Sequence, residues 1–195
     1  MYKTYRGVIK ANDTISYNFL LANYHAQDAV DNDDGSCCES LFPPSFFSST
    51  FLSFPLTLLP SVLDFSTHNN VMVYADNGMK SDYGGHDNHH FSNVYAYVGS
   101  AFGTVWQYPG HEDYFFDNHV VVTHDGDYGE AGGMCGGDGS PPIIYNNTIF
   151  SPTGNVTVCE YPLAVWQKMG HETGSSAHPF PNDNDLLGIM AQILV

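Results

Sequence analysis

The chain has 195 residues, and 43% of them are apolar, which is sufficient for one domain with a hydrophobic core. Lys and Arg together number 5 against 21 Asp and Glu, so the formal net charge is -16. This balance argues against a nucleic-acid partner and against an anionic membrane surface, because both require clustered cations. It favours cations as partners, or polymers that are held through bound cations.

Five short apolar runs each follow an asparagine, at intervals of 52, 23, 25 and 29 residues. The asparagines are Asn18, Asn70, Asn93, Asn118 and Asn147. A period in the twenties is typical of repeat architectures. β-Branched and aromatic residues bounded by Gly, Asn and Asp predict short strands. The predicted strands are 71–74, 94–98, 119–123, 148–150 and 156–158.

The repeat predicts an all-β fold, a right-handed parallel β-helix of about five coils in which equivalent strands stack on one another. Asparagine suits the bend before each strand, because its side chain bonds to nearby backbone and it tolerates left-handed conformations. In coils stacked ~4.8 Å apart, the asparagines could also hydrogen-bond to one another as a ladder. Either role of the asparagines supports stacked coils.

Residues 38–66 interrupt the repeat. From Leu41 to Pro60 the chain reads LFPPSFFSSTFLSFPLTLLP, with four prolines and no charge. So many prolines are incompatible with a membrane-spanning helix and with a central strand. Phe, Ser, Leu and Pro share codons that begin with two pyrimidines, so we interpret the segment as a translated pyrimidine-rich tract, such as a retained intron. Removing its 29 residues would shorten the first interval from 52 to 23 residues.

The two ends of the chain carry different expectations. We expect 1–195 to be a single β-helix domain whose first coils are missing, because its start has no evident cap. Residues 183–195 are predicted to form an apolar helix that caps the other end, where core side chains and unpaired backbone would otherwise be exposed. The segment 166–170 is predicted to be turn-rich and to complete this lid.

Cysteines and glycosylation sequons bear on localisation. The four cysteines do not match a zinc ribbon or a redox CxxC motif, but Cys135 and Cys159 could form a disulfide between neighbouring coils. Sequons begin at Asn12, Asn146 and Asn155. With the high acidity, they favour a secreted or cell-surface glycoprotein, although residues 1–6 begin no signal peptide.

Three segments carry a family resemblance. They read DNDDGS at 31–36, NVMVYADNGMKS at 70–81, and WQKMGHETGS at 166–175 followed by PFP at 179–181. With these segments the chain resembles right-handed parallel β-helix proteins of the pectin-lyase-like superfamily, over about residues 12–37 and 67–195. Many proteins with this fold cleave acidic or neutral glycans in a groove along the coils. The resemblance therefore implies a polysaccharide or glycan partner and a lyase or hydrolase activity.

Polar residues after the strands suggest where catalysis would take place. Counted from the asparagine of each coil, Asp28 and Lys80 share offset 10, and Asp34 and His86 share offset 16, which predicts one polar face on adjacent coils. A lyase needs a base and a cation that stabilises developing negative charge. Lys80 and His86 are the catalytic candidates, and His86 is the easier base because the usual pKa of histidine is near neutral. An ion pair with a neighbouring aspartate is the structural alternative for Lys80.

Aspartates supply candidate metal ligands or catalytic acids. Asp33, Asp34 and Asp87 are the residues in question, and Ca²⁺ is the candidate cofactor because it binds carboxylate and carbonyl oxygens. A turn rich in solvated aspartate is the structural alternative. A second metal option is zinc held by His86, His89, His90 and Asp87.

Aromatic residues suggest how a glycan would be held. Trp106, Tyr108 and His111 follow a predicted strand and are the candidate substrate-binding residues. The alternative to an enzyme is a non-catalytic glycan-binding or surface-structural solenoid, in which Tyr97 and Tyr114 join the stacking surface, or an inactive fragment. Fold alone does not decide between these functions.

Overall fold

The computed structural model describes most of the chain. The described residues are 13–21, 28–32, 65–81, 87–104, 109–131, 134–136 and 140–195. The predictions for Asp33, Asp34, His86, Trp106 and Tyr108 concern residues outside these ranges. Within them, no helix combines the length and the apolar character that crossing a bilayer requires.

The strands form a parallel β-solenoid of about four turns, which confirms the predicted all-β class and the stacking of coils. Three sheets run along the solenoid, and their strands are numbered in chain order. Sheet 1 contains β1 (Asp13–Ser16), β4 (Phe65–His68), β7 (Asn88–Phe91), β10 (Tyr114–Phe116) and β14 (Ile143–Tyr145). Sheet 2 contains β2 (Phe19–Leu21), β5 (Val71–Val73), β8 (Val94–Val98), β11 (His119–Val122), β15 (Thr148–Ser151) and β18 (Ser176–Pro179).

Sheet 3 and a small fourth sheet complete the turns. Sheet 3 contains β3 (Asp28–Asn32), β6 (Asn77–Ser81), β9 (Ser100–Thr104) and β13 (Glu130–Ala131). Sheet 4 contains β12 (Gly126–Asp127), β16 (Val156–Val158) and β17 (Tyr161–Pro162). Among the strands of the described residues, every pairing is parallel except that of β16 with β17, which is antiparallel.

The five predicted strands are all present. Four of them are the central strands of sheet 2, and 156–158 is β16 in sheet 4. The apolar pattern does not predict sheets 1 and 3, because several of their strands are rich in polar residues and glycine. For example, β7 reads NHHF and β6 reads NGMKS. Stacking on neighbouring turns, rather than local propensity, determines these strands.

The predicted asparagine ladder is present between sheets 1 and 2. At each rung, Oδ1 accepts hydrogen bonds from the backbone N–H and the Nδ2 of the preceding rung, at 3.0 to 3.2 Å. The asparagines are Asn18, Asn70, Asn93, Asn118 and Asn147, and the Oγ of Ser175 takes the sixth position. The residue before each rung has a positive φ, from 53° at Ser92 to 81° at Gly174. Each rung is therefore the same left-handed bend followed by a side chain that satisfies buried backbone.

Alternation along the strands divides the side chains between the inside and outside of the solenoid. In β8, Tyr95 and Val98 point into the main core, while Val94 and Ala96 lie on the outer face of sheet 2. The main core runs along the axis as stacked rows of apolar side chains. It includes an aromatic cluster in which the Phe102 ring lies 5.3 Å from that of Phe115.

Helix α2 (Asp183–Ile193) confirms the predicted C-terminal helix but covers a different surface. Its N-cap is Asn182, whose Oδ1 accepts from the Asp185 N–H at 3.0 Å. Its buried Leu186 and Met190 pack on the outer face of sheet 2, not over the end of the solenoid. The valines of that outer face form an apolar surface along the side of the solenoid, and α2 packs on this surface.

Residues near the end of the solenoid are helical where turns are predicted. Helix α1 (Leu163–Lys168) begins after Pro162, and its buried Leu163 and Trp166 join the main core. Gly170, with φ of 98°, follows the helix and reverses the chain, which is typical of helix ends. Helix α1 therefore supplies the core contacts that we predicted for the C-terminal helix.

The disulfide Cys135–Cys159, which the sequence analysis considers between neighbouring coils, is formed. It joins the segment 134–136 to the residue after β16.

The predicted insert is only partly within the described residues. Residues 38–64 of the insert lie outside the described part. Its last two residues, Phe65 and Ser66, belong to β4 and pair with Asp13 and Thr14 of β1.

Candidate functional site

A cavity of about 630 Å³ lies near the C-terminal end of the solenoid, beyond the last strand of sheet 1. The Asn146 N–H donates to the Thr173 carbonyl at 3.0 Å, so residues after α1 form the next level below β14. The cavity has apolar walls with a few polar groups, which include Glu112, Ser140, Tyr145, Trp166, His171 and Glu172. A concave site of this size and composition is typical of small-molecule or sugar binding.

Glu172 is buried in this wall. The residue is 4% exposed and has a positive φ of 45°. Its Oε2 accepts a hydrogen bond from the Tyr128 hydroxyl at 2.7 Å, while its Oε1 has no hydrogen-bond partner among the described residues. Burial raises the pKa of Glu172 to about 7, against smaller opposing effects of the Tyr128 and Ser175 hydroxyls. Glu172 can therefore hold a proton near neutral pH.

The backbone of Glu172 is fixed by the end of the ladder. Its carbonyl accepts from the Ser175 N–H at 3.2 Å and from Nε2 of Gln167 at 3.0 Å. Nε2 of Gln167 also donates to the Ser175 carbonyl at 2.6 Å. These bonds hold Glu172 in a left-handed conformation of the kind that also occurs at the bends of the ladder.

Glu112 contributes the second carboxyl group of the cavity. It lies just before β10, and its Oε1 accepts from the Ser140 Oγ at 2.6 Å and from the Gly110 N–H at 2.9 Å. The hydrogen bond from Ser140, and to a smaller extent that from Gly110, lowers the pKa of Glu112 because it stabilises the charged form. Glu112 is therefore a carboxylate at neutral pH.

Two glutamates with opposed environments thus belong to the wall of one cavity, and the Oε1 of Glu172 is buried there. Glu172 is desolvated and favours its protonated form, whereas Glu112 is hydrogen-bonded and favours its ionised form. Environments that move two pKa values apart assign one group as an acid and the other as a base or nucleophile. Glycoside hydrolysis uses a pair of carboxyl groups with such different environments.

Aromatic rings form part of the cavity wall. Trp166 of α1 is 5% exposed and stacks on the ring of His171 at 4.0 Å between centroids. On the outer face of sheet 1, four rings stack at 4.8 to 5.1 Å in the order His68, Phe91, Phe116 and Tyr145. No ring of the described residues covers the far face of Tyr145, which is the last in this stack. Tyr145 also lines the cavity, where its ring can contact the apolar face of a sugar.

Lys80 lies in a different part of the molecule. It is half-buried in β6 of sheet 3, where its register partners are Asp31 and Gly103. The predicted alignment of Asp28 with Lys80 is wrong, because Asp28 pairs with Asn77. Equal offsets fail here because six residues separate β2 from β3 but only three separate β5 from β6. The proposed role of Lys80 in catalysis stays a prediction.

Two other predicted residues contact each other. Nδ1 of His111 and Oδ2 of Asp87 are 2.7 Å apart on adjacent turns. His111 directly precedes Glu112, and Asp87 lies close enough to oppose slightly the fall in the pKa of Glu112. The structure thus places a predicted substrate-binding residue and a predicted metal ligand next to the cavity carboxylate. Ca²⁺ binding by Asp33, Asp34 and Asp87 stays a prediction, since the first two lie outside the described residues.

The zinc alternative is not supported by the geometry. His90 points into the core and is fully buried, and its Nδ1 lies 2.6 Å from Oγ1 of Thr67. His89 points to the outer face, where it stacks on Tyr114. Consecutive strand residues face opposite sides of a sheet, so these two histidines cannot share a metal. Among the residues that the structure describes, no three His, Cys, Asp or Glu side chains are grouped to hold a metal ion.

The alternative stacking surface also divides between sheets. Tyr114 is on the outer face of sheet 1, whereas Tyr97 is on the outer face of sheet 2, where it stacks on Tyr74 at 5.6 Å. These two tyrosines therefore do not belong to one flat surface.

The residues that the sequence prediction missed are chiefly Glu172, Tyr128, Tyr145 and the stacked pair of Trp166 and His171. Glu112 directly follows His111, a predicted substrate-binding residue, but receives no role in the sequence analysis. One signal was available. The tripeptide Gly-His-Glu occurs twice, at 110–112 and 170–172, and the glutamates of both copies line the cavity.

Comparisons of the chain with protein-family models, with curated proteins and with solved structures find no match. The fold and the geometry of the cavity are thus the observations from which function can be argued.

Proposed function

We propose that this protein is carbohydrate-directed and hydrolyses a glycosidic bond in the cavity at the C-terminal end of its solenoid. The observation that carries the proposal is the placement of Glu112 and Glu172 in one cavity beside Tyr145 and Trp166. A buried carboxyl group and a hydrogen-bonded carboxylate, next to aromatic rings, match the needs of hydrolysis in type of group and in environment.

The two glutamates have distinct roles in this mechanism. Glu172 donates its proton to the oxygen of the departing sugar as the glycosidic bond breaks, which requires its buried Oε1 to become accessible from the cavity. Glu112 either activates a water molecule or attacks the sugar directly. Water supplies the atoms added to the two products. The anomeric configuration of the first product, followed by NMR, distinguishes these two roles of Glu112.

Glutamine variants test the assignment. Glu172→Gln and Glu112→Gln should each lower kcat by about a hundredfold or more on an oligosaccharide that the native chain cleaves, because general acid–base catalysis contributes ~10²–10⁴. Glu130→Gln, at an exposed glutamate of β13, is the matched control and should keep full activity. Full activity in either cavity variant would refute the proposed roles.

An elimination mechanism at Lys80 is the other enzymatic version. In it Lys80 and His86 serve as base or acid in a groove along the coils, and Asp33, Asp34 and Asp87 hold Ca²⁺ or act as acids. Uronate polymers incubated with and without Ca²⁺ test this version, since elimination creates double bonds that absorb in the ultraviolet. Loss of that absorbance in Lys80→Met, with Glu172→Gln unaffected, would favour it over hydrolysis in the cavity.

A non-catalytic glycan-binding or structural module is the runner-up. It is supported by the stacked rings on the outside of sheet 1, because stacked rings stabilise a solenoid without any catalytic role. Binding of glycans that survives all the above substitutions, without cleavage, would identify such a module.

We also propose that the chain is a distant, right-handed member of the pectin-lyase-like superfamily, and that it is secreted or displayed at the cell surface. Its parallel sheets and asparagine ladder support the first statement. The Cys135–Cys159 disulfide supports the second, because disulfides persist in oxidising compartments. The sequon residues Asn146 and Asn155 are exposed, so both are accessible to glycosylation.

A further inference from the structure

The disulfide Cys135–Cys159 joins two parts of the cavity wall. Met134, the residue next to Cys135, is 9% exposed, belongs to the main core and lines the cavity. On the other side of the bond, the chain runs from Cys159 through β17 directly into α1, whose buried Trp166 also lines the cavity. The bond therefore connects the Met134 side of the wall to the Trp166 side.

The sequence around Met134 offers few side chains that could hold this part of the wall. Five of the eight residues 132–139 are glycine, and the other three are Met134, Cys135 and Asp138. Glycine contributes no side-chain contacts and loses the most backbone freedom when it is fixed. A stretch of this composition has two groups that can anchor it in an apolar wall, the Met134 side chain and the sulfur of Cys135.

The Cys159 side of the bond is a turn that its own residues disfavour. Cys159 and Glu160 form the two-residue turn between β16 and β17, and both have positive φ, of 51° and 66°. Asn and Gly are the usual residues of such a turn, because both of its positions are left-handed. Neighbouring groups therefore hold the turn. They include the disulfide and Oδ1 of Asp127, which accepts from the Glu160 N–H at 3.3 Å.

The bond is accessible to a reductant from one side. Cys135 is exposed, whereas Cys159 is half-buried and packs against the main core. Thiol–disulfide exchange requires an incoming thiolate to reach one of the two sulfurs, and exposed disulfides are typically the labile or regulatory ones. An incoming thiolate therefore reaches the sulfur of Cys135, and Cys159 is the leaving group.

We propose that Cys135–Cys159 is a site of reversible reduction by a dithiol, and that its reduction loosens the Met134 side of the cavity wall. One thiolate of the dithiol attacks the sulfur of Cys135 and forms a mixed disulfide, while Cys159 leaves as a thiolate and takes up a proton. The second thiol of the dithiol attacks the dithiol's own sulfur in the mixed disulfide and releases Cys135 as a thiol. The dithiol is thereby oxidised to a disulfide, and the protein gains two thiols.

Reduction places the cavity under the control of its redox surroundings. In the oxidised chain, the disulfide holds Met134 in the wall. In the reduced chain, burial alone retains Met134, so the wall opens locally more often. Wall opening does not depend on which reaction the cavity catalyses, so a failure of the proposed hydrolysis leaves it standing.

The rate of reduction in the folded chain is the first measurement. The full chain carries Cys37→Ser and Cys38→Ser, so that this pair alone reacts, and is treated with dithiothreitol in native buffer and in denaturing urea. Alkylation and mass spectrometry count the new thiols. Reduction that waits for global unfolding is slowed by the unfolding equilibrium constant, about 10³ or more. We expect a rate in native buffer within about a hundredfold of that in urea, and a lower rate would overturn the proposal.

Oxidation of methionines by hydrogen peroxide measures the wall, in the same background. Met134 should form its sulfoxide at least about fivefold faster in Cys135→Ser with Cys159→Ser than in the oxidised parent, because oxidation follows exposure. Met79, fully buried in the main core, is the matched control and should react equally slowly in both, while Met169, at 53% exposed, gives the rate of an open side chain. An unchanged rate at Met134 would show that the bond does not hold the wall. An equal increase at Met79 would show that the wall is no looser than the rest of the core, and either result would overturn the proposal.

Discussion

Replacement of Asn118 by alanine is the sharpest test of what stabilises the solenoid. Oδ1 of Asn118 accepts from the Asn93 backbone N–H at 3.0 Å and from the Asn93 Nδ2 at 3.2 Å. Nδ2 of Asn118 donates to the His90 carbonyl at 2.9 Å and to Oδ1 of Asn147 at 3.2 Å. Asn118→Ala therefore removes four buried hydrogen bonds and leaves the Asn93 N–H without this acceptor.

The expected loss follows from these bonds. A net contribution of about 1 kcal/mol for each hydrogen bond gives about 4 kcal/mol, at the upper end of what single substitutions cost. For a chain of this size, 1 kcal/mol lowers Tm by about 2–4 °C, so the variant should melt about 8–16 °C lower. Urea unfolding followed by far-ultraviolet circular dichroism measures the free energy directly.

Two other asparagines provide controls. Asn155 is exposed and its side chain donates one bond, to Thr153 Oγ1 at 2.7 Å, so Asn155→Ala should cost less than about 0.5 kcal/mol. Asn18 is the exposed first rung, and Asn18→Ala should cost about 1–2 kcal/mol because it removes only two bonds, from Nδ2 to Ser16 and to Asn70. If Asn118→Ala were no more destabilising than Asn155→Ala, the ladder would not be a major source of stability.

Three further substitutions test core packing, the disulfide and the buried acid. A Cβ on Gly78 would lie 2.4 Å from the Ala101 carbonyl oxygen, whereas a Cβ on Gly103 in the adjacent strand would meet nothing within 4 Å. Gly78→Ala should therefore lower the free energy of unfolding, measured in urea, by about 1–3 kcal/mol. An equal loss in Gly103→Ala would contradict this packing. Removing the disulfide as Cys135→Ser with Cys159→Ser should destabilise by about 3 kcal/mol, given its sequence separation of 24 residues, and reduction of the native chain should reproduce most of that loss. Burial raises the pKa of Glu172 from 4.5 to about 7, so the folded state binds a proton that the unfolded state has released, and stability falls as the pH rises between these values. In the native chain this effect should lower the free energy of unfolding by about 3 kcal/mol between pH 4.5 and 7, and Glu172→Gln should abolish it. Urea unfolding at several pH values measures the difference. An unchanged pH dependence in the variant would show that Glu172 is not the group responsible.

The sequence predicts those features that repeat in register. Asn93 and Asn118 follow the period directly, and their apolar followers alternate between the core and the outer face of sheet 2, so both the ladder and the central sheet could be predicted. Polar strands such as β7 could not be predicted, because pairing with neighbouring strands, and not amino-acid composition, makes these segments extended. The alignment predicted for Lys80 is wrong for a related reason, since the chain has six residues between β2 and β3 but only three between β5 and β6.

The periodic pattern does not predict the cavity, because the cavity depends on an interruption of the repeat. Glu112 lies within a loop of one turn, and Glu172 lies where a further strand of sheet 1 would otherwise continue the stack. No periodic pattern brings residues 112 and 172 together, and the burial that distinguishes Glu172 from an ordinary glutamate comes from the side chains packed around it.

The end of the ladder and the acid of the candidate site are physically connected. Ser175 completes the ladder by accepting from the Asn147 N–H, and it also donates its own N–H to the Glu172 carbonyl. The last rung thus holds the backbone that places Glu172 in the wall of the cavity. A buried carboxyl group is costly, and it is retained only where the surrounding structure fixes its conformation. The ladder provides that rigidity where the parallel strands of sheet 1 end. Glu172 is buried at this level, and its Oε1 has no hydrogen-bond partner among the described residues.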